Sequence, residues 1–149
     1  MNIENILNEG RNILKENKII NYQLDSEILL SISIKKDIKH IILNPKEFLN
    51  SKQANNFKNL IERRKNGEPI AYLINKKSFW KSEFYVNKDV LIPRPDTELL
   101  IEQVLKIYPK NSQIHVLDIG VGSGCILLSI LKERLNFYGT GIDISKKSV

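Results

Sequence analysis

Apolar residues recur at helical spacing near the start of the chain. The first series, with polar residues between its members, consists of Ile3, Ile6, Leu7, Ile13 and Leu14. Because residues three and four positions apart share one helix face, this spacing predicts an amphipathic helix. A second apolar series runs from Asp25 to Ile32 and predicts a second helix.

Two more helices are predicted before residue 70. Asp37 is placed to cap a short helix that ends before Pro45. Ser51 opens a longer helical pattern, which stops at Gly67 and Pro69 because these two residues end helices. The chain up to Gly67 is therefore predicted to form a small helical bundle with its apolar residues in the core.

The pattern changes to short β-type runs after the helical part. Aromatic and β-branched residues cluster at 78–80 and 84–86, with polar residues between the two runs, and a third apolar run covers 90–92. Runs of this length and composition are typical of strands. They predict a β-hairpin or a short meander.

A proline pair separates this β region from the rest of the chain. Pro93 and Pro95 have no amide hydrogen to donate, so a central strand cannot continue through them. Asp96 or Thr97 is then expected to cap a helix that ends at Pro109.

The remaining pattern predicts a β-α-β unit. A mostly apolar strand is expected at 114–119, a helix at 123–134 and a second strand at 138–144. A strand, a crossover helix and a further strand in one sheet make a parallel pair. Two parallel strands alone would leave open edges and an uncovered face, so we expect an incomplete sheet.

A glycine-rich run lies between the predicted strand and helix. It reads Asp118-Ile119-Gly120-Val121-Gly122-Ser123-Gly124. Glycine permits a sharp turn and the close approach of a ligand to the backbone, and the helix behind it presents free amides and partial positive charge. The run predicts a ligand site, although a tight turn without a ligand is the alternative.

The acidic residue at the end of the next strand narrows the class of ligand. Asp143 lies 19 residues past Gly124, where its carboxylate can accept hydrogen bonds from both hydroxyls of a ribose. A dinucleotide loop of the G-x-G-x-x-G type would need glycine where the chain has Cys125. An oxidoreductase fragment that binds a nicotinamide dinucleotide stays as an alternative.

The spacing G-x-G-x-G preceded by an acid resembles the first motif of class I S-adenosylmethionine methyltransferases. That resemblance implies that the loop wraps the methionine end of S-adenosylmethionine and that the second acid binds the ribose. The cofactor-binding residues predicted in this way are Asp118, Gly120, Val121, Gly122, Ser123, Gly124 and Asp143.

Three further segments make the resemblance more specific. They read Gly-Glu-Pro-Ile-Ala-Tyr at 67–72, Phe-Trp at 79–80 and Val-Leu-Ile-Pro-Arg-Pro-Asp-Thr-Glu at 90–98. Together they resemble the release factor glutamine methyltransferases known as HemK or PrmC. The resemblance implies methylation of the glutamine amide in the Gly-Gly-Gln motif of a peptide chain release factor. It also places Arg94, Thr97 and Glu98 near the substrate, with a rigid connector as the alternative.

The resemblance implies that the predicted elements form an α+β fold in two parts. Residues 1–70 are expected to form a helical domain that helps to recognise the release factor, and residues 71–93 a β-hairpin connector. Residues 94–149 are expected to be the truncated start of a class I, Rossmann-like methyltransferase domain. The fold therefore consists of a helical bundle, a hairpin and a first β-α-β unit.

The family's methyl-transfer motif, Asn-Pro-Pro-Tyr, does not occur in the sequence. An amide nitrogen is a poor nucleophile because its lone pair is delocalised, and positioning it can supply about 7–11 kcal/mol of barrier reduction. We therefore predict no catalytic residue in this chain and no turnover by the chain alone. A DNA or RNA adenine methyltransferase and a non-catalytic module that docks on a release factor remain alternatives.

Composition and charge exclude several other classes. The net charge is +6, and it is spread evenly along the chain. Residues 1–70 contain 12 Lys and Arg against 9 Asp and Glu, and the later residues contain 11 against 8. Because the basic residues form no block, direct binding of nucleic acid is not predicted. The sequence has no long apolar run and no signal-like N-terminus. Cys125 is the only cysteine, which excludes an internal disulfide and a multi-cysteine metal site. The two histidines, His40 and His115, have no ligand partner at useful spacing, so no metal site is predicted. We expect a cytoplasmic protein without membrane contact.

Overall fold

The computed structural model of the chain describes residues 1–148 and divides into two compact units. The first unit covers Met1–Ile74 and the second begins at Asn75. Helices make up the first unit, and helices with two small sheets make up the second, so the fold is mixed and compatible with a two-part α+β arrangement. Val149, the last residue of the predicted range 94–149, lies outside the described residues.

Five helices form the first unit. They are α1 (Ile3–Glu16), α2 (Tyr22–Ile34), α3 (Ile38–Leu43), α4 (Ser51–Lys65) and α5 (Ile70–Ile74). The four predicted helices are confirmed. However, α2 begins at Tyr22, one turn before the predicted start at Asp25, and the short α5 was not predicted.

Side-chain caps fix where three of these helices begin. The Asn2 side chain accepts a hydrogen bond from the Asn5 amide. Asp37 accepts one from the His40 amide at 2.8 Å, which confirms the cap predicted for α3. Asn50 and Gln53 form a reciprocal capping box at the start of α4. These contacts satisfy amides that a helix leaves without an internal partner.

The core of the first unit consists of aliphatic side chains and one phenylalanine. Gly10 lets α1 approach α4, because a Cβ atom there would lie 2.6 Å from Cζ of Phe57. Asp25 is buried and accepts a hydrogen bond from Nε of Arg64 at 2.7 Å, which compensates the buried charge. The fully buried apolar residues include Ile3, Ile6, Leu14, Leu29, Leu30, Ile41, Phe57 and Ile61.

The second unit begins with a hairpin and continues as a β-α-β unit. Its elements are β1 (Lys76–Phe79), β2 (Ser82–Tyr85), α6 (Glu98–Ile107), β3 (His115–Ile119), α7 (Cys125–Glu133) and β4 (Tyr138–Ile142). The strands β1 and β2 are antiparallel, which confirms the hairpin. The strands β3 and β4 are parallel, which confirms the predicted pair.

Two local predictions in the second unit are wrong. Residues 90–92 form no strand, because the chain turns at Asn87, whose side chain accepts the Asp89 amide and whose carbonyl accepts the Val90 amide. Neither Asp96 nor Thr97 caps α6 with its side chain. Instead, a 3-10 turn over Pro95–Thr97 leads directly into α6, and its backbone hydrogen bonds replace the cap.

Both helices of the second unit contribute to one apolar cluster with the hairpin and β3. Phe79 packs edge-on against Phe84, with ring centroids 6.2 Å apart. The other buried members are Ile101 from α6, Cys125 and Ile130 from α7, and Phe137 before β4. This cluster fixes the start of α7, and with it the glycine-rich loop that precedes the helix.

Candidate functional site

The loop between β3 and α7 uses glycine where the backbone enters the left-handed region. The φ angles are +84° at Gly120, +52° at Gly122 and +74° at Gly124. A Cβ atom at Gly124 would lie 3.1 Å from Cδ1 of Leu128, whereas one at Gly120 would meet open space. Gly124 therefore serves local packing as well as the turn, and Gly120 leaves room in front of the loop.

Most amides of the loop already have acceptors within the protein. The amides of Gly120 and Val121 both donate to the Ile142 carbonyl, at 2.8 and 3.0 Å, and the Gly124 amide donates to the Val121 carbonyl at 2.8 Å. The first two bonds tie the loop to the end of β4. The loop is therefore a fixed turn with few amides left to bind an anion.

Asp143 lies beside the loop at the end of β4. Its Oδ2 atom accepts a hydrogen bond from the Gly122 amide at 2.9 Å, and its Oδ1 atom accepts one from the Ser145 amide at 2.8 Å. The Ser145 amide, followed by that of Gly122, lowers the pKa of the Asp143 carboxyl below its ordinary value. The side chain is therefore a carboxylate at neutral pH, and each oxygen keeps a second lone pair for a further donor.

Asp118 is the last but one residue of β3 and lies on the side that faces α7. Its carboxyl accepts a hydrogen bond from the Leu127 amide in the first turn of α7, but its Oδ2 atom is buried without a partner. Burial raises the pKa of the Asp118 carboxyl above its ordinary value, and the Leu127 amide offsets this only in part. The loop is therefore flanked by two acids whose pKa values are shifted in opposite directions, upward at Asp118 and downward at Asp143.

Ser123 and Cys125 contact each other at the start of α7. The Ser123 side chain hydrogen-bonds the Cys125 thiol, and burial raises the pKa of that thiol above its ordinary value. A raised pKa keeps the sulfur protonated and unreactive at neutral pH. Cys125 is thus a packing residue of the second unit's core.

Two glycines in β4 hold the loop, and the sequence interpretation did not use them. A Cβ atom at Gly141 would lie 2.7 Å from Cγ2 of Val121, so the valine packs directly on the strand backbone. A Cβ atom at Gly139 would lie 2.7 Å from Cδ1 of Leu127 in α7. Glycine at alternate positions of a strand indicates close approach of neighbouring atoms on one face, and that signal is present in the sequence.

The three residues predicted to lie near a substrate are close to each other in sequence but separate in role. The Thr97 amide donates to the Arg94 carbonyl at 3.1 Å, and the Arg94 side chain is exposed. Glu98 instead contacts the hairpin, where its Oε1 atom accepts the Trp80 amide at 2.7 Å. Within residues 1–148, no hydrogen bond or ion pair links these three side chains to the glycine-rich loop.

The hairpin tip is attached to both helices of the second unit. Trp80 has a left-handed backbone with φ of +53°, which is strained for a bulky residue. Its amide donates to Glu98 at the start of α6, and its indole Nε1 donates to Glu133 at the end of α7 at 2.9 Å. Glu133 also accepts from Lys81 at 2.7 Å. These bonds hold the strained turn in place.

Two other kinds of site are absent from the described part of the chain. Over residues 1–148, no three His, Cys, Asp or Glu side chains gather closely enough to bind a metal ion. Within the same range, no helix has the length and apolar character needed to cross a membrane.

Comparison with known proteins identifies similar sequences. Residues 5–74 match the PrmC N-terminal domain model. Proteins named release factor glutamine methyltransferase match most of the chain. The one from Caulobacter vibrioides is 38% identical over 91% of this chain, and that from Coxiella burnetii 43% over 85%. The one from Buchnera aphidicola subsp. Baizongia pistaciae is 47% identical over 85%.

The matches cover only part of the relatives. The aligned regions take up 47%, 46% and 46% of those three proteins, so the chain spans about half the length of the curated relatives it matches.

Proposed function

The chain belongs to the release factor glutamine methyltransferase family as an N-terminal portion, and we propose on that premise that its glycine-rich loop binds S-adenosylmethionine. The whole protein then methylates the glutamine amide of the Gly-Gly-Gln motif in a peptide chain release factor. The helical unit contributes to recognition of that partner. The β3-α7-β4 unit is the start of a Rossmann-like cofactor domain.

The strongest support is that the loop's amides are occupied while a carboxylate lies at its edge. Four of the five amides from Gly120 to Gly124 donate within the protein, and one of them donates to Asp143. A pyrophosphate needs free amides and would be repelled by a carboxylate. A ribose offers hydroxyl donors, and S-adenosylmethionine carries positive charge, so both suit this site better than a dinucleotide.

The acids of the loop have separate roles in this proposal. Asp143 would hold the ribose, because its oxygens keep lone pairs for hydroxyl donors. Asp118 has a buried acceptor oxygen without a partner, and a cationic ammonium group of the cofactor would compensate the burial that now raises its pKa. The bound cofactor supplies an electrophilic methyl group on a sulfonium sulfur. Gly120 leaves the loop open toward the ligand.

In this proposal, the helical unit and the segment before α6 contact the protein substrate. Arg94 is exposed ahead of α6 and is free to contact a protein substrate. Glu98 instead accepts a hydrogen bond from the Trp80 amide at the hairpin tip. The Asn-Pro-Pro-Tyr motif is missing from the sequence, so we expect the 149-residue chain to show no methyl transfer when it is assayed alone.

Calorimetric titration of the chain with S-adenosylhomocysteine and with NAD tests the cofactor assignment. We expect binding of S-adenosylhomocysteine, and we expect Asp143→Asn to weaken it about tenfold or more because an amide nitrogen cannot accept a hydroxyl donor. The control is Glu102→Gln on the exposed side of α6, which should bind like the unsubstituted chain. Preference for NAD, or an unchanged affinity in Asp143→Asn, would refute the assignment.

A further inference from the structure

Several lysines at one end of the helical unit have no carboxylate partner. The three arginines of this unit each pair with an acid, as in the contact between Arg64 and Asp25. Among residues 1–148, no carboxylate lies within ion-pair distance of four exposed lysines at the end of α2 and the starts of α3 and α4, namely Lys35, Lys36, Lys39 and Lys52. This end of the unit therefore carries uncompensated positive charge.

The sequence around these lysines contains few acids. Residues 28–46 include only Asp37, whose side chain accepts the His40 amide at the start of α3. Residues 48–61 include no Asp or Glu, and Glu47 between the two segments contacts the His40 ring at 2.7 Å. Surface charges act over about 10 Å at 0.1 M salt. An anionic partner is therefore favoured at this end of the unit.

A groove opens between the end of α2 and the start of α4. Its volume is about 510 Å³, within the range of about 300–1,000 Å³ that is typical of ligand sites. Lys35 lines it from α2 and Lys52 from α4, so both sides of the groove carry an ammonium group. The other lining residues are neutral, namely Ile32, Ser33, Ile34, Asn50, Gln53 and Asn56.

The neutral side chains of the groove are suited to a polypeptide. The side-chain oxygens of Asn50 and Gln53 accept the amides of the capping box, and their NH2 groups have no partner among residues 1–148. Asn56 donates to the Ser33 hydroxyl at 3.4 Å, which leaves its amide oxygen unpaired in the same range. Primary amides can bind both the carbonyl and the N–H of a peptide backbone. Ile32 is 42% exposed and offers an apolar contact.

Nucleic acid fits the groove less well. Proteins that bind single strands stack bases on aromatic side chains, and no aromatic residue lines the groove. Arginine, whose guanidinium binds phosphate through two parallel hydrogen bonds, is also absent from the lining. A lysine ammonium is a point charge that pairs equally with a carboxylate. The lining therefore favours an acidic polypeptide.

We propose that the groove between α2 and α4 binds an acidic polypeptide segment in which carboxylates flank one apolar side chain. Lys35 and Lys52 pair with the carboxylates. Asn56 bonds to the peptide backbone, and Ile32 contacts the apolar side chain. The groove lies entirely within the first unit, so its occupancy does not depend on cofactor binding by the second.

Titration of the isotope-labelled 149-residue chain with the peptide acetyl-Glu-Glu-Leu-Glu-Glu-amide, followed by NMR, measures both the affinity and the location of the peptide. The charge variant is Lys35→Gln/Lys52→Gln. Its matched control is Lys15→Gln/Lys18→Gln, which removes the same charge from exposed positions outside the groove. Lys18 and Lys35 have similar φ angles of 60° and 57°, so the two variants carry similar backbone strain.

A second pair of variants separates recognition of the backbone from attraction by charge alone. Asn56→Ala removes an amide of the groove, and Asn55→Ala removes an exposed amide next to it that does not line the groove. We expect Lys35→Gln/Lys52→Gln to weaken peptide binding about fivefold or more and Asn56→Ala about threefold or more. Both controls should bind like the unsubstituted chain.

The proposal is overturned if the peptide does not bind, or if either groove variant binds like its control. The peptide with glutamine in place of every glutamate should not bind, and equal affinity for it would also overturn the proposal. Binding of an oligouridylate that displaces the acidic peptide and is weakened by Asn56→Ala would assign the groove to nucleic acid instead.

Discussion

Replacing Gly141 by alanine should move the glycine-rich loop, because the new methyl group would meet a side chain that cannot turn away. The added Cβ would lie 2.7 Å from Cγ2 and 3.0 Å from Cβ of Val121. Valine is branched at Cβ and has little rotamer freedom, so the loop backbone must shift. Overpacking of this kind costs about 1–3 kcal/mol of unfolding free energy.

Gly139→Ala is the matched control on the same strand and face. Its Cβ would also come within 2.7 Å of a neighbour, but that neighbour is the Cδ1 atom of Leu127, with Cδ1 of Leu131 at 2.9 Å. Terminal methyl groups of leucine can rotate aside. Alanine in a strand also gains about 0.5–1 kcal/mol over glycine, so the net change should be close to zero.

Urea unfolding followed by tryptophan fluorescence measures both variants. Trp80 is the only tryptophan and lies in the second unit, so its signal reports the part of the chain that contains the loop. In a double-mutant cycle, Val121→Ala should rescue Gly141→Ala by about 1 kcal/mol or more, because all three nearest atoms belong to Val121. Equal stability of Gly141→Ala and Gly139→Ala, together with a coupling energy near zero, would refute the reasoning.

Three further predictions concern the loop acids, the loop glycine and one helix cap. Gly120→Ala and Gly67→Ala have similar φ angles, +84° and +89°, and neither Cβ meets an atom within 4 Å, so each should cost about 1–2 kcal/mol in its own unit. Only Gly120→Ala should also weaken S-adenosylhomocysteine binding, and equal affinities in calorimetry would contradict this. The pKa of Asp143 is lowered, so its stabilising contribution is present above the ordinary value of 3.8 and is lost as pH falls through the folded pKa. The pKa of Asp118 is raised, so its contribution is full below 3.8 and is lost as pH rises through the folded pKa. Unfolding at several pH values should therefore show opposite pH trends for Asp143→Asn and Asp118→Asn relative to the unsubstituted chain, and parallel curves would contradict the assignment. Asn50→Ala removes the capping box of α4 and should cost about 1 kcal/mol in chemical unfolding followed by circular dichroism, whereas a loss under about 0.3 kcal/mol would show that this cap contributes little.

Local spacing predicted those elements whose buried residues are apolar and regularly placed. The first helix is of this kind. The start of α2 could not be predicted in this way, because Asp25, Ser26 and Ser33 are buried polar residues that break the apolar period. Asp25 is buried because it pairs with Arg64, a contact between residues 39 positions apart that no local window contains.

The candidate site was predictable in its backbone but not in its side-chain contacts. The glycines of the loop follow from the need for positive φ angles, and Asp143 follows from its place at a strand end. Glu98 illustrates the limit, because its partner Trp80 lies 18 residues away and is reached only once the hairpin packs on α6. Whether Asp118 and Asp143 bind a cofactor stays a prediction.

The two hydrophobic clusters share no residue, since the first includes nothing beyond Ile74 and the second nothing before Phe79. Substitutions of residues that share no packing partner tend to change free energy additively. Selection can therefore act on each cluster separately. A lineage can accumulate changes around the glycine-rich loop while the helical cluster stays as it was, so similarity to relatives is free to decline at different rates in the two units.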